Sequence, residues 1–256
     1  MNPIKKDRFS IVFNQDGYLE LVDFIKNNDF NKILILTDDN TKENCLDIFL
    51  SSITATNPEV SNLIISKLFY YSVKPGENSK NIDTSIEVWE FLIEKGFKRL
   101  DLIINLGGGM ITDLGGFVAS TFMRGIKFVN VPTTLLGMVD ASIGGKTGID
   151  FREIKNIIGV FGFAKIVLVD YRFLATLNKR QKTAGYAEMI KHILISKTSE
   201  LNKIKKVDSM EDVPHKMINQ SIITKVSIID VDPLESDIRK FLNYGHTLGH
   251  AIESYL

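Results

Sequence analysis

Glu188, Lys191 and His192 fall at i, i+3 and i+4 in the stretch GYAEMIKHILI, which places them on one face of a helix. Their neighbours Ala187, Met189, Ile190 and Ile193 are mostly apolar, so this is not an ordinary solvated face. A second polar stripe runs through RKFLNYGHTLGHAIE, where Arg239, Asn243, His246 and His250 recur every three or four residues. Two histidines at i, i+4 can bind one metal ion. Two structural histidines are the plainer alternative, and Arg239 and Asn243 on the same stripe count against it. The spacing therefore points to a divalent metal held by Glu188 and His246, with His250 or His192 as a further ligand. Beside it, Lys146, Arg124, Lys225 and Arg239 would form a cationic cluster for an anionic substrate, lysine as point charge and arginine as bidentate clamp.

The segment DASIGGKTGID carries Gly145-Lys146-Thr147, the last three letters of a phosphate-binding P-loop. The first glycine of that pattern falls on Asp140, a carboxylate where a polyphosphate should lie, so the match fails. NLGGGMITDLGG is more informative, because its three glycines follow a strand and open a helix. There the backbone can approach a ligand closely and offer unpaired N–H groups to a pyrophosphate. VPTTLL, with Thr133 and Thr134, and VKPGENSK, with Glu77 and Lys80, are two more polar loops at strand ends. Ligands of open α/β sheets sit at the carboxyl ends of strands, so these loops can share one crevice. A dinucleotide, a metal and an anion pocket together suggest metal-assisted oxidation of an alcohol on a phosphorylated or carboxylated molecule.

The elements that must position these residues are legible as periodicities. FSIVF, KILILTD, LFYYSV, LDLIINLGGG, IKFVNVPTT and KIVLVD read as strands, several apolar on both faces, as in a parallel sheet covered by helices. GYLELVDFIKNN and NIDTSIEVWEFLIEKGF carry apolar residues at helical spacing, the second with Asp83 near its start as a cap. After VLVDYRFLATL the chain reads as helices, ending in IRKFLNYGHTLGHAIESYL without a C-cap signal. The expected architecture is an α/β domain with a parallel Rossmann-like sheet, residues 1–172, followed by an all-α domain, residues 173–256. With 31 basic and 31 acidic residues, no electrostatic footprint points to nucleic acid or an anionic membrane. No secretory signal or membrane-length apolar run is evident, and the single cysteine, Cys45, reads as a small buried hydrophobe in a cytoplasmic protein.

From Lys32 to Leu256 the chain resembles the 3-dehydroquinate synthase family. PGExxK, GGGxxxDxxGFxAS, MRGI, VPTTLL, VDASIGGKTG, KNxIG, AEMIKHxLI and LNxGHTxGHAIE occur in the family's order and spacing. The resemblance implies conversion of 3-deoxy-D-arabino-heptulosonate 7-phosphate to 3-dehydroquinate and phosphate, a step of the shikimate pathway. Bound NAD would take hydride from a ring hydroxyl and return it after phosphate elimination, before ring opening and aldol closure. It implies that Pro75, Gly76, Glu77, Asn78, Ser79, Lys80, Gly109, Met110, Ile111, Thr112, Asp113, Thr133 and Thr134 contact NAD. Lys155, Phe173, Leu174, Ala175 and Thr176 would join that site, with Lys146 at its border. Glu188 and His246 would hold zinc or cobalt, while His250 would serve proton traffic, which replaces the reading of both histidines as ligands. Lys225 and Arg239 would bind the substrate carboxylate; Lys146, Asn156, Asn243 and Arg124 its phosphate or nearby hydroxyls. Asp140 and Lys191 would lie beside the reacting hydroxyls, and Arg124 would reach across a homodimer interface.

The family pattern continues past Leu256 with another histidine ligand and a lysine, so the resemblance implies a fragment. FGFAK, Phe161 to Lys165, replaces a glutamine-proline turn that the family often has. The alternatives are another sugar-phosphate cyclase, whose substrate lacks the carboxylate, a metal-dependent alcohol dehydrogenase of the glycerol dehydrogenase type, or an inactive truncated chain.

Overall fold

Apolar runs such as ILIL and LIIN are stable as strands only between two covering layers. The computed structural model describes residues 1–196, 213–245 and 249, those at 59–61 by backbone alone. In it β1 (Ile4–Lys5), β2 (Ser10–Phe13), β3 (Ile33–Asp38), β4 (Leu68–Val73), β5 (Leu102–Gly107), β6 (Lys127–Pro132) and β9 (Ile166–Val169) form one sheet. Its order is β1-β2-β9-β6-β5-β3-β4, parallel except where β1 meets β2. All six runs expected as strands are strands of this sheet. Ile33, Leu34, Ile35 and Leu36 are each 0% exposed, and each such burial stabilises the fold by about 1.5–3 kcal/mol.

Between the strands lie α1 (Asn14–Asn28), α2 (Asp39–Thr54), α3 (Pro58–Ile65), α4 (Ile82–Glu94) and α5 (Gly109–Thr121). Cys45 is buried on α2, as expected. The cap of α4 is Asn81 and not Asp83: the Asn81 side chain accepts the Thr84 N–H at 2.8 Å, and Asp83 sits within the first turn. After β3 the chain moves outward to β4; after β5 it moves the other way, to β6. The carboxyl ends of β3 and β5 therefore flank a topological switch point, where such sheets bind ligands.

Two amides buried in the sheet connect it to the site. Asn105 on β5 and Asn130 on β6 are register partners, joined by an Nδ2–Oδ1 hydrogen bond of 2.9 Å. Asn130 also donates to the Ser142 carbonyl at 3.1 Å, which pins the π-helical turn Gly137–Ala141 that carries Asp140. Helix α5 approaches Asn105 so closely that a Cβ on Gly115 would lie 1.9 Å from its Oδ1. On the same helix, a Cβ on Gly116 would lie 2.4 Å from Thr147 Cγ2. Thr147 belongs to an antiparallel hairpin, β7 (Lys146–Phe151) with β8 (Ile154–Phe161), separate from the main sheet and absent from the sequence reading. Its apolar residues are interspersed with charges, and β8 is exposed along its length.

Beyond β9 the described residues form a 3₁₀ segment, Tyr171–Thr176, then α6 (Lys179–Ile195), α7 (His215–Val231) and a second 3₁₀ segment, Ile238–Asn243. The last corrects the expectation of one continuous terminal helix. The Asp232 carboxylate accepts the N–H groups of Ser236, Asp237 and Arg239, and Gly245 then turns the chain at φ +85°. Arg239 and Asn243 thus belong to a tight turn, and His246 and His250 lie outside the described residues. No helix among the described residues is long and apolar enough to cross a membrane.

Gly115→Ala should cost about 1–3 kcal/mol by overpacking Asn105, lowering the melting temperature by roughly 3–10 °C in thermal unfolding. An unchanged melting temperature would show that the Asn105–Asn130 link is slack.

Candidate active site

Helix α6 is capped by Asn178, whose side chain accepts the Gln181 N–H at 3.0 Å. It carries Glu188, Lys191 and His192 inward, exposed by only 9%, 8% and 0%. The common face read from their spacing is therefore real, and it is buried. Lys191 pairs with Glu188 and donates to the Leu242 carbonyl. From α7, Lys225 pairs with the Asp140 carboxylate and donates to the Asp140 carbonyl at 2.6 Å. Burial alone would raise the Asp140 carboxyl, but the Lys225 and Lys191 ammonium groups outweigh it and hold that group well below the ordinary carboxylate range.

Of these groups, Asp140 and Lys225 line a cavity of about 550 Å³, whereas Glu188, Lys191 and His192 do not. Asp113 from α5, Asp140 from the π-helical turn, Lys146 from β7, Lys155 and Asn156 from β8, and Lys225, Arg239 and Asn243 from the helical part line the cavity. Arg239 is 2% exposed; its Nη2 donates to the Gly144 carbonyl at 2.8 Å and its Nη1 to that of Pro233 at 2.5 Å. Gly144, at φ +109°, admits this contact, since a Cβ there would lie 2.8 Å from Nη2. The Arg239 Nε is buried and has no hydrogen-bond partner among the described residues.

Glu235 was missed by the sequence reading. Held at φ +61°, it pairs with Lys146, accepts from Asn243 Nδ2 at 2.5 Å and lies 3.9 Å from Arg239 Nε. The available signal was its place four residues before Arg239, an ion-pair spacing. Burial, with Arg239 and Lys225 nearby, pushes the Lys146 ammonium down to about 8. Arg124 does not join this cluster. It is exposed at φ +64° on a short turn, Phe122–Arg124, and does not line the cavity, because the chain reverses there before β6.

The cofactor candidates gather along the carboxyl edge of the sheet. Gly108 caps α5 without a side-chain hydrogen bond to the helix start. The Thr133 N–H donates to the Gly107 carbonyl at 2.9 Å, and Thr134 Oγ1 accepts the Gly137 N–H at 3.0 Å. Gly109 and Met110 are half-buried at this turn, whereas Ile111 and Thr112 turn inward and can meet a ligand only through their main chain. After β4, Pro75, Gly76, Glu77 and Asn78 are exposed and Ser79 is half-buried. Lys80, 3% exposed, pairs with Glu77, stands 3.5 Å from Asp113 and 3.7 Å from Asp150, and donates to Asn156 Oδ1 at 2.9 Å. The Asn156 side chain is thus engaged by Lys80, and Asp150 is a second residue that spacing did not reveal. Burial pushes the Asp113 carboxyl up to about 7 against the pull of Lys80. Phe173 is buried, while Leu174 and Ala175 line a separate cavity of about 190 Å³; Thr176 is exposed, its hydroxyl 3.8 Å from Cys45 Sγ.

The donor set suits a divalent metal. One ligand atom each from Asp140, Glu188 and His192 lies within 4.8 Å of the others, and the buried Glu188 carboxylate, ion-paired through Oε1 with Lys191, has Oε2 without a hydrogen bond among the described residues. Carboxylate oxygen and imidazole nitrogen are the donors that zinc and cobalt accept.

A family model described as the 3-dehydroquinate synthase N-terminal domain matches residues 70–184, and one for the C-terminal domain matches residues 185–256. The 3-dehydroquinate synthase of Parabacteroides distasonis is 40% identical over 248 residues, covering 95% of this chain and 67% of its own. That of Pelagibacter ubique is 38% identical over 256 residues, covering 97% and 67%. The bifunctional 3-dehydroquinate synthase/phosphatase of Fusobacterium nucleatum is 40% identical, over 89% of this chain and 34% of its own. The chain thus spans from a third to two thirds of the length of these relatives. A solved 2-deoxy-scyllo-inosose synthase, complexed with carbaglucose-6-phosphate, NAD+ and Co2+, superposes with a TM-score of 0.84 at 26% identity, over 99% of this chain and 70% of that one. The 2-epi-5-epi-valiolone synthase of Streptomyces hygroscopicus shares the fold, with a TM-score of 0.73 at 23% identity over 99% of this chain and 70% of that one.

With its ammonium at about 8, Lys146 is cationic below that pH and loses its charge above it. Sulfate, whose own charge is constant across the neutral and alkaline range, should bind more weakly as pH rises through that value. Lys146→Arg should remove the step, because a guanidinium stays charged. Titration calorimetry checks this, and a pH-independent wild-type affinity would contradict it.

Proposed function

The chain belongs to the 3-dehydroquinate synthase family, and from that premise we propose that it converts 3-deoxy-D-arabino-heptulosonate 7-phosphate to 3-dehydroquinate and phosphate. One observation carries the proposal most directly. A single cavity receives Asp113 from α5, just after the glycine-rich turn, Asp140 from the pinned π-helical turn, and Lys146, Lys225, Arg239 and Asn243. Two of the residues proposed for the cofactor, Asp113 and Lys155, thus share one space with an ionised carboxylate and an excess of cations.

When bound, NAD supplies a reversible hydride store and the metal Lewis-acid polarisation of a hydroxyl. Thr133, Thr134, Phe173, Leu174, Ala175, Thr176 and the loops at Pro75–Lys80 and Gly109–Asp113 are the residues proposed to hold NAD. Glu188 and His246 would hold the metal. Asp140, kept ionised by Lys225 and Lys191, can accept a hydrogen bond from a substrate hydroxyl and orient it. Arg239 and Lys225, both lining the cavity, are proposed to hold the carboxylate with their guanidinium and ammonium groups. Lys146 and Asn243, now engaged by Glu235, become phosphate donors when that carboxylate yields to the substrate. Elimination breaks the carbon–oxygen bond to phosphate as the adjacent carbon loses its proton, and no net redox change results. His250 is proposed for proton traffic and Lys191 as a hydrogen-bonding group beside the reacting hydroxyls, and Lys155 and Asn156 line the cavity from β8.

A division at residues 1–172 and 173–256 belongs to this reading, with most of the cofactor residues in the first part, the metal residues in the second, and the substrate held by both. A cytoplasmic homodimer, with exposed Arg124 serving the neighbouring cavity, belongs to the same proposal. The cations for a carboxylate favour this substrate over those of the cyclases that share the fold.

Phosphate release should be seen with the heptulosonate phosphate and not with glucose 6-phosphate or sedoheptulose 7-phosphate, without accumulation of NADH. Turnover of the latter two alone would overturn the assignment, and net NADH would indicate a dehydrogenase. Lys146→Ala should lower turnover by at least about a hundredfold with an unchanged circular dichroism spectrum; full activity would remove Lys146 from the mechanism.

A further inference from the structure

His192 lies between α6 and α7 with no solvent exposure, and its two ring nitrogens face different partners. Nδ1 is 2.5 Å from Ser221 Oγ on α7. Nε2 is 3.3 Å from Glu188 Oε1, a contact that falls short of hydrogen-bond geometry, and neither of these two buried atoms has a hydrogen-bond partner among the described residues. The tautomer follows from this pairing. With the proton on Nδ1, Nε2 would present a lone pair to a carboxylate oxygen inside the protein, an unrelieved repulsion. With the proton on Nε2, the Ser221 hydroxyl donates to Nδ1 and the Nε2–H faces the carboxylate.

The spacing in the sequence left His192 open as a metal ligand. The contacts of Glu188 argue for a different role. Lys191 makes an ion pair with the same Oε1 and is anchored to the Leu242 carbonyl. A divalent cation placed between Oε1 and Nε2 would therefore press against an ammonium group. Oε1 is the protein-facing oxygen, and Oε2 meets no hydrogen-bond donor among the described residues.

We propose that His192 is a positioning residue of the metal centre: its Nε2–H, oriented by Ser221, faces Oε1 of Glu188 at 3.3 Å and closes to a hydrogen bond when metal binds, so that Oε2 is the oxygen presented to the metal. This rests on the metal reading above, and hydrogen-bonded carboxylate ligands are the general pattern at such centres. Nothing in the spacing distinguishes the role, because Ser221 is 29 residues away and reaches Nδ1 only through the packing of α7 on α6.

The test is Co2+ binding to the metal-free chain, followed by chelator competition and by the visible absorption of the bound ion. His192→Ala should weaken Co2+ about 10–100-fold while leaving the shape of the absorption bands unchanged. His192→Gln, which keeps an N–H near the place of Nε2–H, should recover part of the loss, and Ser221→Ala should show a smaller one. Equal affinity in wild type and His192→Ala overturns the inference. A band shape that loses a nitrogen ligand also overturns it, by making His192 a ligand. Wild type that takes up no Co2+ removes the metal reading itself. Circular dichroism and melting temperature verify folding, and if His192→Ala does not fold, His192→Gln and Ser221→Ala carry the test.

Discussion

Charge enclosed where water is scarce must be compensated by charge, and that constraint organises this molecule. Glu188, Lys191, Lys225 and Arg239 are each under 10% exposed, and Asp140 joins them. Breaking one buried pair by removing a partner costs about 3–5 kcal/mol, so the segments bearing these groups cannot shift independently. The π-helical turn, α6, α7 and the 3₁₀ segment Ile238–Asn243 are therefore held in mutual register by ion pairs as well as by packing. Two carboxylates against three cations leave one positive charge in excess, and Lys146 with Glu235 adds a neutral pair. An anion is the complement such a site lacks.

The cofactor side has the opposite balance. Lys80 stands among Glu77, Asp113 and Asp150, and burial holds Asp113 near neutrality. A corner rich in acceptors suits the hydroxyl groups of a ribose, while the uncapped start of α5 suits phosphate. The proposed NAD site thus separates the polar functions of a dinucleotide by electrostatics, along one sheet edge. The two halves meet at the Asn105–Asn130 amides, which carry the order of the sheet out to Ser142 and so to Asp140.

Much of the fold was legible because burial leaves a strong period. ILILTD and LIINLG have no other use than as doubly covered strands, and Glu188, Lys191 and His192 announced their shared face by spacing. What failed did so for identifiable reasons. Asp83 is a good cap residue, but Asn81 reaches the Thr84 N–H first. The terminal helix was overextended because hydrophobic spacing cannot show that Asp232 gathers three backbone N–H groups into a tighter turn. The hairpin β7–β8 was invisible because β8 lies in solvent and carries no burial pattern.

Residue types, order and spacing by themselves determined the parallel sheet, the family, and most of the polar residues that converge on the cavity. They could do so because those features depend on neighbours within a turn or a strand. Only the tertiary structure decided which charges meet. Glu235 reaches Lys146 across a separation of 89 positions, Lys225 reaches Asp140, and Ser221 reaches His192. Such partners are chosen by desolvation and packing between distant segments, and no local pattern in the chain encodes them.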